Sequence, residues 1–272
     1  VTNEPGSAVD PAAEPVLIDR CDGVLTITLN RPRVKNAMTW TGWSQLRDAV
    51  RAVDQLTDRV VVVTGAGGDF CAGADLGGQP TGGHQVDDMR IVGDACLALH
   101  RLPVPTIAKV DGVAVGAGMN LALVCDFVVA SSRARFAEIF VKRAMSVDFG
   151  GSWLLPRLIG LRRAKELVLL GDIIDAARAA EYGLLHQVVD ADALGKTVAD
   201  LATRLADGPR LAMAGSKALL NDAFDTTLER ALDEEARAQA VSVSSPDAAE
   251  AIDAFLRKRP ANFRRTTTRE DR

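Results

Sequence analysis

Histidine occurs three times and cysteine four times in this 272-residue chain. Cys21, Cys71, Cys96 and Cys125 stand far apart, each in or beside an apolar segment, with no C-x-x-C pair and no Cys/His cluster. That scatter argues against a zinc site and against a disulfide framework. It points to reduced thiols in a cytoplasmic setting, with no metal to expect. Imidazole chemistry is poorly supplied too. Basic charge is not in excess: the net charge is −4 and the sequence pI about 5.5, where a nucleic-acid binder would carry a basic stripe. No apolar run approaches the roughly 20 residues that span a bilayer, so no membrane partner is expected. Residues 1–14 have neither the basic start nor the apolar stretch of a signal peptide and read as a frayed tail.

What is present fits an ordinary globular protein, 47% hydrophobic and 25% charged, long enough for an α/β core with a helical appendage. Val16 to Asp19 and Val24 to Leu29 read as strands joined through Asp22-Gly23, a hairpin signal. Thr41 is placed to cap a helix running to Leu56. Arg59 to Thr64 is a β-branched run of the kind buried on both faces. A helix over Asp88 to Leu99 is closed by Pro103 and Pro105. Strands follow at Thr106 to Val110, Val113 to Val115 and Asp126 to Ala130, with a short helix opening after Gly116. From Ser152 onward helix dominates, over Arg162–Leu170, Asp175–Tyr182, Ala193–Leu205, Pro209–Asn221, Thr226–Ser242 and Asp247–Lys258. The alternation implies the α/β class, with a core at 15–205, a C-terminal helical region at 206–263 and a polar tail at 264–272.

Two glycine-rich turns follow buried strands, Cys71-Ala72-Gly73-Ala74-Asp75 and Gly116-Ala117-Gly118. Small residues let a ligand approach the backbone, and the second turn opens a helix whose unpaired N–H groups favour negative charge. One N–H from each turn can pinch a carbonyl oxygen as it becomes an enolate. The same turns also suit plain strand-to-helix packing. Neither spells G-x-G-x-x-G with an acidic residue on the next strand, which argues against a dinucleotide site.

Asn30-Arg31-Pro32, Asn36-Ala37, Phe70 to Leu76, Val110 to Gly118, Cys125-Asp126, Gly150 to Arg157 and Ala254 to Phe263 occur in that order. The series resembles the enoyl-CoA hydratase/isomerase (crotonase) superfamily over Val16 to Phe263. The resemblance implies a spiral of ββα units, a helical C-terminal region that packs subunits, and a homotrimer or dimer of trimers. It implies an acyl-CoA thioester substrate, of the kind met in fatty acid metabolism, with coenzyme A as part of the substrate and no separate cofactor. It assigns the oxyanion hole to the N–H groups of Ala74 and Ala117. The nucleotide end of coenzyme A is placed near Cys71, Ala72, Gly73, Ala74, Asp75 and Leu76, with Lys35, Phe255 and Lys258 as further contacts.

Against that pattern, both carboxylates with which hydratases of the superfamily handle water are replaced. The first position is Asn120, and the second, counted from Phe136, is Phe140. One carboxylate remains in the segment Ser146-Val147-Asp148-Phe149-Gly150-Gly151, which resembles the branch that isomerises acyl-CoA thioesters through an Asp at the position of Asp148. An acid between Val147 and Phe149 is desolvated and so a better base. The same Asp148 can instead cap the helix beginning at Gly150. Glu138 is either a displaced second carboxylate or a surface or ion-paired glutamate. Isomerisation is therefore the leading expectation. Hydration through Glu138 or Asp148 with Asn120 positioning water is an alternative, as is an acyl-CoA binder without activity.

Overall fold

The computed structural model describes residues 14–77 and 82–264. The tails expected at 1–14 and 264–272 lie almost wholly outside them. Asp22 and Gly23 both adopt positive φ, 52° and 79°, as a two-residue hairpin turn requires. They join β1 (Val16–Cys21) to β2 (Val24–Leu29) in antiparallel register, Cys21 opposite Val24. The later strands are β3 (Val60–Gly65), β4 (Thr106–Val110), β5 (Val113–Val115), β6 (Phe127–Ser131), β7 (Arg135–Ala137), β8 (Ile174–Asp175) and β9 (Gln187–Val189). A six-stranded sheet runs β1-β2-β3-β4-β6-β9, parallel from β2 onward, and a three-stranded sheet runs β5-β7-β8.

The β-branched run behaves as its composition demands. Val61 and Val63 face the main core with Leu25, Ile27 and Phe70, while Val60 and Val62 face the opposite side with Ile107 and Val129. That second side is covered by α6 (Ala191–Ala206) through Leu194, Val198 and Ala202. The first side is covered by α1 (Trp40–Arg51), α2 (Gln85–His100) and α3 (Ala117–Leu123) through residues such as Trp43, Leu46, Leu99 and Leu121. The remaining helices are α4 (Gly151–Leu170), α5 (Ala176–Glu181), α7 (Arg210–Asp222), α8 (Leu228–Val243) and α9 (Pro246–Leu256).

Several boundaries differ from the sequence reading. Thr39, not Thr41, caps α1 by accepting from the Gly42 N–H, and α1 stops at Arg51 rather than Leu56. The helix expected from Arg162 is the second half of α4, which begins at Gly151 and breaks at Gly160 (φ 76°, ψ 156°). β7, β8 and β9 hold two or three residues each, too short to show a period of two.

Candidate active site

The turn after β3 is held by the segment that begins Asn30-Arg31-Pro32. Asn36 is buried, accepting from the Arg31 N–H at 2.9 Å and donating to the carbonyls of Ala66 (2.9 Å) and Asp69 (2.7 Å). Met38 N–H donates to the Gly73 carbonyl at 2.8 Å, and Asp75 N–H to the Met38 carbonyl at 2.9 Å. Ala72 N–H donates to Lys35, and the Arg31 guanidinium pairs with Asp75 at 2.8 Å. These bonds use the backbone on both sides of Ala74, whose own N–H finds no acceptor among the described residues.

Gly116 (φ 56°, ψ −128°) caps α3, and the first helical bond is made by Asn120 N–H to the Gly116 carbonyl. Ala117 N–H is therefore one of the helix-opening donors without an intrahelical partner. The two turns touch. A Cβ on Gly73 would lie 2.8 Å from the Val115 carbonyl oxygen and 3.5 Å from the Ala117 nitrogen, and one on Gly118 would collide with the Cys71 carbonyl. Only glycine allows this approach, and Gly73 also needs its φ of 88°. Two N–H groups are thus left free on abutting turns, one of them at the positive end of a helix.

Asn120 lies three residues past Ala117 on α3 and is fully buried. Its Nδ2 donates to the Asp148 backbone carbonyl at 2.9 Å and to Glu138 Oε2 at 3.3 Å. The loop carrying Asp148 is thereby tied to the helix that opens at Ala117. Cys96, on α2, holds the same loop from below, its thiol donating to the Phe149 carbonyl at 3.5 Å. Phe149 adopts an unusual φ of 47° and packs on Trp43 with ring centroids 5.0 Å apart.

Asp148 does not cap α4. The cap is Gly150, without a side-chain hydrogen bond, while the Asp148 backbone carbonyl accepts from Gly151 N–H at 3.0 Å. Its Oδ1 is buried without a partner, and burial pushes its carboxyl up to about 6. Glu138 is neither on the surface nor ion-paired. It is fully buried, and burial, opposed by the Asn120 hydrogen bond and helped by the Asp148 charge, pushes it up to about 8. Phe140 is also buried, its ring 3.5 Å from where a Cβ on Gly116 would stand. It occupies the space beneath the turn with carbon.

A cavity of about 550 Å³ touches Cys96 and Gly150 but lies against α7, walled by His100, Trp153, Lys217 and Asn221, and none of Ala74, Ala117, Asn120, Glu138 or Asp148 lines it. His84 caps α2, accepting from Val86 N–H through Nδ1, and His186 stacks edge-on against Phe127. Lys35 and Leu76 are exposed near the first turn. Phe255 and Lys258 lie at and just past the end of α9, Phe255 82% exposed. Among the described residues no hydrogen bond or ion pair joins either to the Cys71–Leu76 turn. Arg31, Asn36 and Cys96 hold the turn and the loop without a signal of that role in the sequence, beyond the place of the first two inside the Asn30–Ala37 motif.

The enoyl-CoA hydratase/isomerase family model matches residues 19–266. The chain is 40% identical over 250 residues to the 1,2-epoxyphenylacetyl-CoA isomerase of Escherichia coli, covering 89% of this chain and 95% of that protein. It is 34% identical over 256 residues to the crotonyl-CoA hydratase of Syntrophomonas wolfei, covering 93% and 98%. The solved enoyl-CoA hydratase structure from Mycobacterium smegmatis superposes with a TM-score of 0.87 at 32% identity, covering 93% of this chain and all of that one. With its crotonase fold and its whole site inside the matched span, the chain belongs to the enoyl-CoA hydratase/isomerase family of acyl-CoA enzymes.

Proposed function

We propose that the protein isomerises an acyl-CoA thioester through an enolate, with Asp148 as the base that removes and returns the proton. The observation that carries this reading is the Asp148 carboxyl itself. It is desolvated, released from helix capping, and fixed through Asn120 to the helix that supplies the Ala117 N–H. The Asp148 carboxylate takes a proton from the carbon next to the thioester carbonyl. The electron pair moves onto the carbonyl oxygen, where the N–H groups of Ala74 and Ala117 receive the charge. The proton then returns to a different carbon, which shifts the double bond. Nothing is oxidised or reduced, so the chemistry calls for no redox cofactor.

Hydration is the second reading. It has support in the name of the Syntrophomonas wolfei relative, and less in the residues. Both hydrogens on Asn120 Nδ2 are spent on internal acceptors, Glu138 is sealed from solvent, and Phe140 cannot exchange a proton. The deciding assay offers 3-enoyl-CoA and 2-enoyl-CoA to the wild type and to Asp148→Asn. Turnover of 3-enoyl-CoA that the substitution abolishes supports isomerisation. Water addition to 2-enoyl-CoA that survives the substitution refutes it. Binding without turnover of either would make the protein an acyl-CoA binder.

A further inference from the structure

Glu138 is a carboxyl that the reaction above leaves unused. It stands between β7 and a 3-10 turn over Ile139–Arg143, and its side chain caps nothing there. Oε2 accepts from Asn120 Nδ2 at 3.3 Å, and Oε1 is buried without a partner. The same nitrogen carries the Asp148 carbonyl at 2.9 Å, and Asn120 Oδ1 is likewise buried and unpaired. Three buried oxygens without a partner among the described residues therefore belong to Glu138, Asn120 and Asp148, which the Asn120 amide ties together through Glu138 Oε2 and the Asp148 backbone carbonyl. Natural structures leave few such atoms, and a cluster of them marks a place built for something other than stability.

An ionised Glu138 would be a buried charge with one long hydrogen bond and, among the described residues, no cation. Lys142, four residues on, points outward to Asp172 at 2.8 Å. A neutral acid costs far less in that place. The amide between the two carboxyls has little room to move. A Cβ on Gly151 would stand 2.7 Å from both Asn120 Oδ1 and Val147 Cγ2, so the opening of α4 presses on it directly.

We propose that Glu138 is a positioning residue, a neutral acid that locks the Asn120 amide under the Asp148 loop and disables the site when it loses its proton. The inference rests on the reading of Asp148 as the base. Deprotonation of Glu138 would place a second negative charge across one amide from Asp148 and make the buried cluster open or distort. Burial is the main cause that pushes Glu138 up to about 8, against the Asn120 hydrogen bond, and among the described residues Asp148 is the charged group that adds to it. Cys96, facing Asp148 from α2, is pushed up to about 11 and stays a neutral thiol through this range. Asn120 and Phe140 do not titrate.

The test is the pH profile of kcat/KM for the wild type, Glu138→Gln, Glu138→Ala and Asp148→Asn, with acyl-CoA affinity measured alongside. In the wild type an acidic limb near 6 reports Asp148 and an alkaline limb near 8 reports Glu138. Gln mimics the neutral acid, so Glu138→Gln should keep turnover at neutral pH and lose the alkaline limb. Ala removes the lock, so Glu138→Ala should lower kcat with acyl-CoA affinity kept. An alkaline limb unchanged in Glu138→Gln overturns the proposal, whereas an active Asp148→Asn overturns the reading beneath it. A measurement independent of activity is the infrared carboxylic-acid band of the wild type at neutral pH. It should be missing in Glu138→Gln and should fade as the wild type is titrated past 8. Identical spectra for the two proteins mean Glu138 is ionised and the proposal falls.

Discussion

Asp148 and Glu138 are both carboxyls raised by burial, yet their surroundings set them apart. Asp148 titrates near 6 and is mostly ionised at neutral pH, as a base must be, while Glu138 titrates near 8 and is mostly protonated. Asp148→Asn keeps shape and removes the base, so kcat should fall by about 10²–10⁴-fold, the usual worth of a general acid/base. In the wild type kcat/KM should decline as the pH drops through about 6, where Asp148 takes up a proton. The effect of Glu138 on stability has the opposite sign from that of a salt-bridged acid. The folded pKa of Glu138 lies above its unfolded value, so its contribution is complete below the ordinary carboxylate range and is lost as the pH rises to about 8. Thermal scans across that window should show the wild-type midpoint falling relative to Glu138→Gln. Parallel curves would mean that Glu138 is solvated. The sequence made the identity of both residues visible and the neighbourhood of neither. From the sequence Glu138 reads either as a displaced second carboxylate or as a surface or ion-paired glutamate, until Asn120, 18 positions earlier, is seen to donate to it.

At the scale of elements, the free N–H groups exist because other segments consume their neighbours' hydrogen bonds. The Arg31–Met38 segment does this for Ala74, and the glycine at the start of α3 does it for Ala117. Gly73→Ala should therefore separate the two turns. An added methyl would meet the Val115 carbonyl at 2.8 Å in a left-handed conformation that alanine resists. Misplacing one oxyanion donor should lower kcat by about 10²–10³-fold. Wild-type kcat in a folded Gly73→Ala protein would show that the thioester oxygen is held elsewhere. The turns were legible because glycine spacing is local information. So was β3, whose continuous valines can only be buried on both faces. The break in α4 at Gly160 and the strands β7 to β9 were not legible, since a partner strand distant in sequence defines each short strand.

At the scale of the molecule, α7, α8 and α9 contribute a single buried residue, Ala254, while these helices and the turn carrying Phe224 present Leu220, Phe224, Leu228, Leu232, Ile252 and Phe255 more than half exposed. So much apolar surface on successive helices is the kind that contact with another copy of the chain would cover. We expect these helices to pack between copies of the chain, as in the homotrimer or dimer of trimers that the family resemblance implies. Phe224→Asp with Leu228→Asp should shift the sedimentation of the protein toward monomer, and a wild type that is itself monomeric would refute this. Lys258, just past the end of α9, is expected from the resemblance to meet a coenzyme A phosphate. Lys258→Ala should raise KM by about tenfold or more with kcat little changed, as loss of a charge-assisted contact equal in ground and transition states would do. A kcat loss at constant KM would place Lys258 in the chemistry instead.

Enolate formation by Asp148 is the central claim, and exchange of the hydrogens at C2 of a bound acyl-CoA tests it without knowledge of the natural acyl group. A saturated thioester in deuterium oxide, followed by mass spectrometry, should gain deuterium with the wild type. It should gain little with Asp148→Asn, while thioester affinity stays nearly intact. Exchange by Asp148→Asn at the wild-type rate would contradict the account.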